Sequence, residues 1–98
     1  MVKWTDHAKR HLLEIHNYIA LDSPIYAERV VESLIKKTLA LNLTPSLGYK
    51  TPESNDEQIR EIHQYSYRIL YQILPNYIAV LAVIHRRREL HPNEILRE

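Results

Sequence analysis

The chain has 98 residues, 45% hydrophobic and 26% charged, which is the composition of one soluble globular domain and excludes a disordered polymer. Thirteen Lys and Arg against twelve Asp and Glu leave a net charge of +1, too little for indiscriminate nucleic-acid binding. No cysteine, no apolar signal-peptide core and no apolar run longer than residues 77–84 exclude disulfides and thiolate metal sites and predict a cytoplasmic protein that does not span a membrane.

In chain order, residues 2–4 read as a short strand. Thr5 is placed to cap a helix, and Asp6 adds negative charge where the helix dipole favours it. Ala8, Leu12, Ile15 and Ile19 then fall on one stripe of a helix running to about Leu21. Ser23 and Pro24 stop it and start a second, Ser23 as cap and Pro24 at the first helical position, where its missing N–H costs nothing. Ala27, Val30, Val31, Leu34, Ile35, Thr38 and Leu41 keep the helical period. So short a connection makes the pair an antiparallel hairpin with apolar stripes that need a partner.

Residues 44–57 hold Pro45, Pro52 and the single glycine, Gly48, and read as the one sizeable loop. Three runs of β-branched and aromatic residues follow, at 59–64, 67–74 and 77–84, with a Pro75-Asn76 turn between the last two. Strict alternation puts Tyr67, Ile69, Tyr71 and Ile73 on one face and Arg68, Leu70, Gln72 and Leu74 on the other. In the last strand it sets Tyr77, Ala79, Leu81 and Val83 against Ile78, Val80, Ala82 and Ile84. The expected fold is α+β: a two-helix antiparallel hairpin packed on a small, mostly antiparallel, curved sheet of three or four strands. The face away from the helices is expected to be partly polar and concave. One helical turn is expected after Pro92. The whole chain, 1–98, reads as a single domain without repeats.

The chemistry-bearing residues collect at the strand ends. Arg60, Arg68 and the run Arg86, Arg87 and Arg88 either face a phosphate or carboxylate, which guanidinium groups grip bidentately, or pair with Glu61, Glu89 and Glu94 as solvated strand ends. Arg68 stands inside an apolar strand and needs a reason to be there. His85 ends the last strand, where it can act as an acid or base or as a hydrogen-bonded structural group. His7 and His11 stand one turn apart without a third ligand in register, so no metal site is expected. The sheet tyrosines, Tyr71 among them, can stack on a ligand or sit in the core with a polar tip. No phosphate loop, nucleophile triad or cofactor motif is present, and no cofactor is expected.

The motifs W-T-D-x-A (4–8), Y-I-A-x-D-S-P (18–24), P-S-L-G (45–48), R-E-I (60–62), Y-R-I-L-Y-Q-I (67–73) and V-I-H-R-R-R-E-L (83–90) resemble, in this order, the RelE/ParE superfamily of toxins from type II toxin–antitoxin modules, also labelled plasmid stabilisation proteins. The resemblance implies the helical hairpin on a curved sheet and a cognate antitoxin that masks the active surface in a hetero-oligomer. It also implies one of two actions. RelE-like members are ribosome-dependent endoribonucleases that cut mRNA; ParE-like members poison DNA gyrase and have no established catalytic site. In a nuclease the family's arginines map to Arg68 and to Arg86 or Arg87, converging on one phosphate, with His85, His91 or Glu61 as acid or base. The lysines that precede the strand arginine in RelE-like members are absent, since I-R-E-I offers Arg60 and Glu61, and His91 stands out of register for the C-terminal acid. The ParE-like reading is therefore preferred. Its binding surface is expected at Arg60, Tyr71, Arg86, Arg87, Arg88 and His91, and an inactive binding module is the third possibility.

Overall fold

The computed structural model describes residues 1–98. Strand β1 (Val2–Trp4) leads into helix α1 (Asp6–Ala20) and helix α2 (Pro24–Leu39), followed by strands β2 (Tyr49–Lys50), β3 (Ile59–Gln64), β4 (Tyr67–Ile73) and β5 (Ile78–His85). Thr5 and Ser23 are the two N-caps, their hydroxyls accepting the N–H of Ala8 and Tyr26 at 3.1 Å each. Past Leu39 the chain tightens into a 3-10 turn at Ala40–Asn42, so Leu41 is buried from the end of α2 rather than from within it.

The five strands form one sheet in the order β1-β5-β4-β3-β2. Every neighbouring pair is antiparallel except β1 with β5, which runs parallel with Val2 opposite Ile78. The expectation of three or four strands is one short. Residues Tyr49–Lys50 of the polar loop pair with Arg60 and Glu61 and add a two-residue edge strand, too short to carry any alternation in sequence.

Helix residues Ala8, Val30 and Leu34, with Leu41, close over Ile62, Ile69, Tyr71, Ile78, Val80 and Val83 on one face of the sheet. The faces of β5 differ from strict alternation. Leu70 pairs with Ala82 but Tyr71 with Val80, so Leu81 has no partner and the strand bulges there. Beyond the bulge the parity is reversed: Val83 joins Val80 on the helix side, while Ala79, Leu81, Ala82 and Ile84 face the other way.

That second face is covered as well. Ile59, Leu70, Leu81 and Ile84 are roofed by Leu90 and Ile95 of the C-terminal segment, which turns once at Pro92–Glu94. Burying those two side chains is worth about 1.5–3 kcal/mol each. The face expected to be partly polar and concave thus holds a second, smaller apolar core beside the buried polar residues Glu61, Arg68 and Gln72. No helix is long and apolar enough to cross a membrane.

Candidate functional site

An arginine inside an apolar strand must bring its counterions with it. Arg68 points from β4 into the tail-covered face, its side chain only 6% exposed. Nη1 donates to Glu53 Oε1 at 2.9 Å and to Glu61 Oε1 at 3.0 Å. Nη2 donates to Glu53 Oε2 and to the Arg88 carbonyl, the latter at 2.7 Å. Glu53 Oε2 also accepts the Leu90 N–H at 2.9 Å. One guanidinium therefore ties the loop, two strands and the tail together. Its hydrogen bond to Glu53 is the main reason that carboxyl is held down at about 2, and the same contact raises the pKa of Arg68. Glu61 Oε2 continues the network to His63 Nε2 at 2.6 Å, which lies 2.6 Å from Tyr49 Oη.

Four donations to two carboxylates and a carbonyl leave Arg68 nothing to offer a phosphate except a buried Nε. The required convergence of Arg68 and Arg87 is not what the structure shows. Arg68 is locked under the tail, and Arg87 lies in an exposed turn at the sheet's end. The pairing of Arg68 with Glu61 and of Arg88 with Glu94 is the other course open to these arginines, as counterion-bearing strand ends.

Tyr71 is also not at a surface. It is fully buried on the helix side, and its hydroxyl accepts the Gly48 N–H at 2.9 Å while donating to the Pro45 carbonyl at 2.7 Å. Burial raises its pKa. Arg60 is half-buried and fastens the same loop from outside, Nε donating to the Gly48 carbonyl at 2.9 Å. Both residues hold residues 45–48 in place. His91 is exposed beside the last turn, where its N–H donates to Glu94 Oε1 at 2.9 Å.

What reaches solvent is the end of β5. The Arg86 N–H donates to the Ser66 carbonyl at 2.8 Å, and the Arg88 N–H to the His85 carbonyl at 3.0 Å, so the basic turn is pinned to the β3–β4 hairpin. His85 Nδ1 accepts the Arg87 N–H at 3.1 Å. Arg86 and Arg87, with His63, Tyr65, Ser66 and His85, line an open cup of about 680 Å³. Arg88 turns away to Glu94, 3.0 Å distant. No group of three or more His, Cys, Asp or Glu side chains is arranged to hold a metal. The His7 and His11 rings meet edge to face at 4.2 Å, and His11 Nδ1 accepts the Val83 N–H at 3.1 Å beside the bulge.

Sequence reasoning missed Glu53, the residue that does most to engage Arg68. It sits in a loop, where no periodicity marks a side chain for burial. The signal that existed was Arg68 itself, since a cation in an apolar strand calls for a carboxylate within reach.

Residues 2–90 match the family described as the ParE toxin of the type II toxin–antitoxin system parDE. The fold is similar to a chain of the chromosomal ParDE toxin–antitoxin system from P. aeruginosa, with a TM-score of 0.71 at 21% identity over 86% of this chain and 92% of that one. It is also similar to a chain of the RelBE2 toxin–antitoxin complex from Mycobacterium tuberculosis, with a TM-score of 0.64 at 21% identity over 88% and 96%. No curated protein matches the chain. At that identity the two structures speak for the fold, which is the helical hairpin on a mostly antiparallel sheet seen here. The family match runs from β1 to the residue that roofs the second core, and on it the chain belongs to the ParE toxins of type II toxin–antitoxin systems, within the RelE/ParE superfamily.

Proposed function

We propose that this toxin arrests growth by poisoning DNA gyrase through binding, without a catalytic step, and that a cognate antitoxin neutralises it in a hetero-oligomer. The observation that carries the first part is the engagement of Arg68. A nuclease of this fold needs the strand arginine and the arginine after β5 to stabilise charge on one phosphate in the transition state. Here the first is spent on Glu53 and Glu61. The group left for a target is the exposed turn at Arg86 and Arg87, which suits recognition of an anionic surface.

The antitoxin is supported by the company the fold keeps, since both similar structures are toxin–antitoxin systems. It is supported also by exposed apolar side chains along the helical hairpin, among them Leu13, Tyr18, Leu21 and Ile25. Expression of the chain alone should arrest growth, and co-expression with the neighbouring gene should restore it.

Purified toxin is to be added to a gyrase supercoiling reaction and, separately, to ribosomes translating a labelled mRNA. Loss of supercoiling with intact mRNA is the expected result. Codon-phased cuts in the mRNA with unimpaired supercoiling would replace this reading by the nuclease one.

A further inference from the structure

Among the arginines of the strands and tail, Arg68, Arg88 and Arg97 each hold a carboxylate, and Arg60 holds backbone carbonyls. Arg86 and Arg87 stand apart, exposed and with no carboxylate partner. They are adjacent in a turn whose backbone is held by hydrogen bonds to Ser66 and His85, and both line the same cup. Two neighbouring cations with no anion between them repel, and a ligand that bridges them removes that repulsion. The cup they border carries no carboxylate: its other residues are His63, Tyr65, Ser66 and His85, which offer imidazole and hydroxyl groups. Glu61, which contacts His63 of the cup, is buried and already held by Arg68.

The shape of the cup bears on which anion fits. It is open rather than enclosed, so a chain that continues on both sides can pass through it. Tyr65, 47% exposed, stands among its lining residues in the left-handed conformation (φ 54°), with its hydroxyl 3.0 Å from Ser33 Oγ. A pair of free guanidinium groups with hydroxyl-bearing neighbours suits the phosphate oxygens of a nucleic-acid backbone. A net charge of +1 makes this a local feature, because the protein as a whole has no general attraction for polyanions.

We propose that the cup of His63, Tyr65, Ser66, His85, Arg86 and Arg87 binds a phosphodiester of a DNA backbone, so that the toxin touches DNA as well as protein when it acts on its target. The choice of DNA over other polyanions rests on the gyrase reading, because gyrase holds DNA while it works. The binding itself requires no gyrase.

The test is fluorescence anisotropy of a labelled DNA duplex titrated with the 98-residue chain, in the absence of gyrase, over a series of salt concentrations. Each phosphate neutralised contributes about 0.9 to the slope of log affinity against log salt. Because Arg86 and Arg87 share one phosphodiester, the Arg86→Ala, Arg87→Ala double variant should bind more weakly and lose about one from that slope. Arg88→Ala should leave the slope unchanged, because Glu94 already occupies that side chain. Both sites are exposed, and circular dichroism will show that the double variant keeps its fold. A wild-type chain that does not bind DNA at low salt overturns the proposal, as does a double variant with the wild-type slope. So does polyglutamate of equal charge binding more tightly than the duplex. In those cases the supercoiling assay still judges the gyrase reading on its own. DNA binding through Arg86 and Arg87 with unimpaired supercoiling would uphold the cup and remove gyrase as the target.

Discussion

Replacing Arg68 by alanine separates a structural arginine from a catalytic one. In the folded protein its guanidinium makes four donations, to Glu53, Glu61 and the Arg88 carbonyl. Arg68→Ala would leave Glu61, whose side chain is 3% exposed, without its guanidinium partner and with only the His63 ring in hydrogen-bond contact. Breaking a buried pair from one side costs about 3–5 kcal/mol, and the lower end applies because Glu53 lies near the rim and can recover water. For a domain of this size each kcal/mol is worth about 4–8 °C, so the melting temperature should drop by roughly 12 °C or more. Arg68→Met combined with Glu53→Gln and Glu61→Gln removes all three charges, and it should recover part of the loss, the buried amide at position 61 keeping the remainder. The same pair sets an acid limit. Glu53 has a folded pKa depressed from 4.5 to about 2, so its contribution is present above 4.5 and is lost as pH falls toward 2. Glu53→Gln should flatten stability against pH in that window. Thermal melts of the single and triple variants across pH measure both effects. An Arg68→Ala protein that melts with the wild type would refute the structural role.

Three other residues carry testable demands. Tyr71→Phe removes the group that both accepts from Gly48 and donates to Pro45, and chemical denaturation should show a loss of about 1–3 kcal/mol. Gly48→Ala should destabilise by a similar or larger amount, on the order of 1–3 kcal/mol for overpacking, because a Cβ there would meet the Glu61 carbonyl oxygen at 2.3 Å. The backbone at Gly48 is ordinary, with φ −79°, so the effect is one of space alone. His11 accepts the Val83 N–H and therefore must be neutral; its pKa is lowered from 6.5, chiefly by burial and next by His7, with Arg88 and Arg10 adding to this and Glu14 opposing it. Its contribution is present above 6.5 and is lost as pH falls through the lowered value, a slope that urea titrations of His11→Phe should lack.

Much of this molecule is written in local pattern. The caps at Thr5 and Ser23, the stripes of α1 and α2 and the three long strands depend on residues close in sequence, and periodicity reports them. The features that escaped are relations between elements. The bulge at Leu81 reverses the faces of β5 because of how it registers with Leu70 and Tyr71 on β4, and a strand apolar on both faces cannot reveal a change of parity. Tyr71 alternates as a core residue should, but the two partners of its hydroxyl lie 23 and 26 residues away. The tail that roofs the second face has only Leu90 and Ile95 to signal it.

Arg68 shows the consequence for function. Its place in β4 is readable from the sequence and agrees with the superfamily's strand arginine, yet the position alone does not say what the guanidinium does. That is decided by whether a loop outside the sheet brings a carboxylate to meet it. Here Glu61 supplies one oxygen from the neighbouring strand and Glu53 two from the loop, while Leu90 fastens Glu53 in return. A neutral residue at position 53 would leave Nη2 with only the Arg88 carbonyl, and one side of the guanidinium would be free to seek another anion. Within one sheet geometry the loop before β3 thus settles whether the strand arginine is a fastener or a phosphate ligand. On the proposed function, the exposed arginines after β5 are then the part of the surface left to recognise a target.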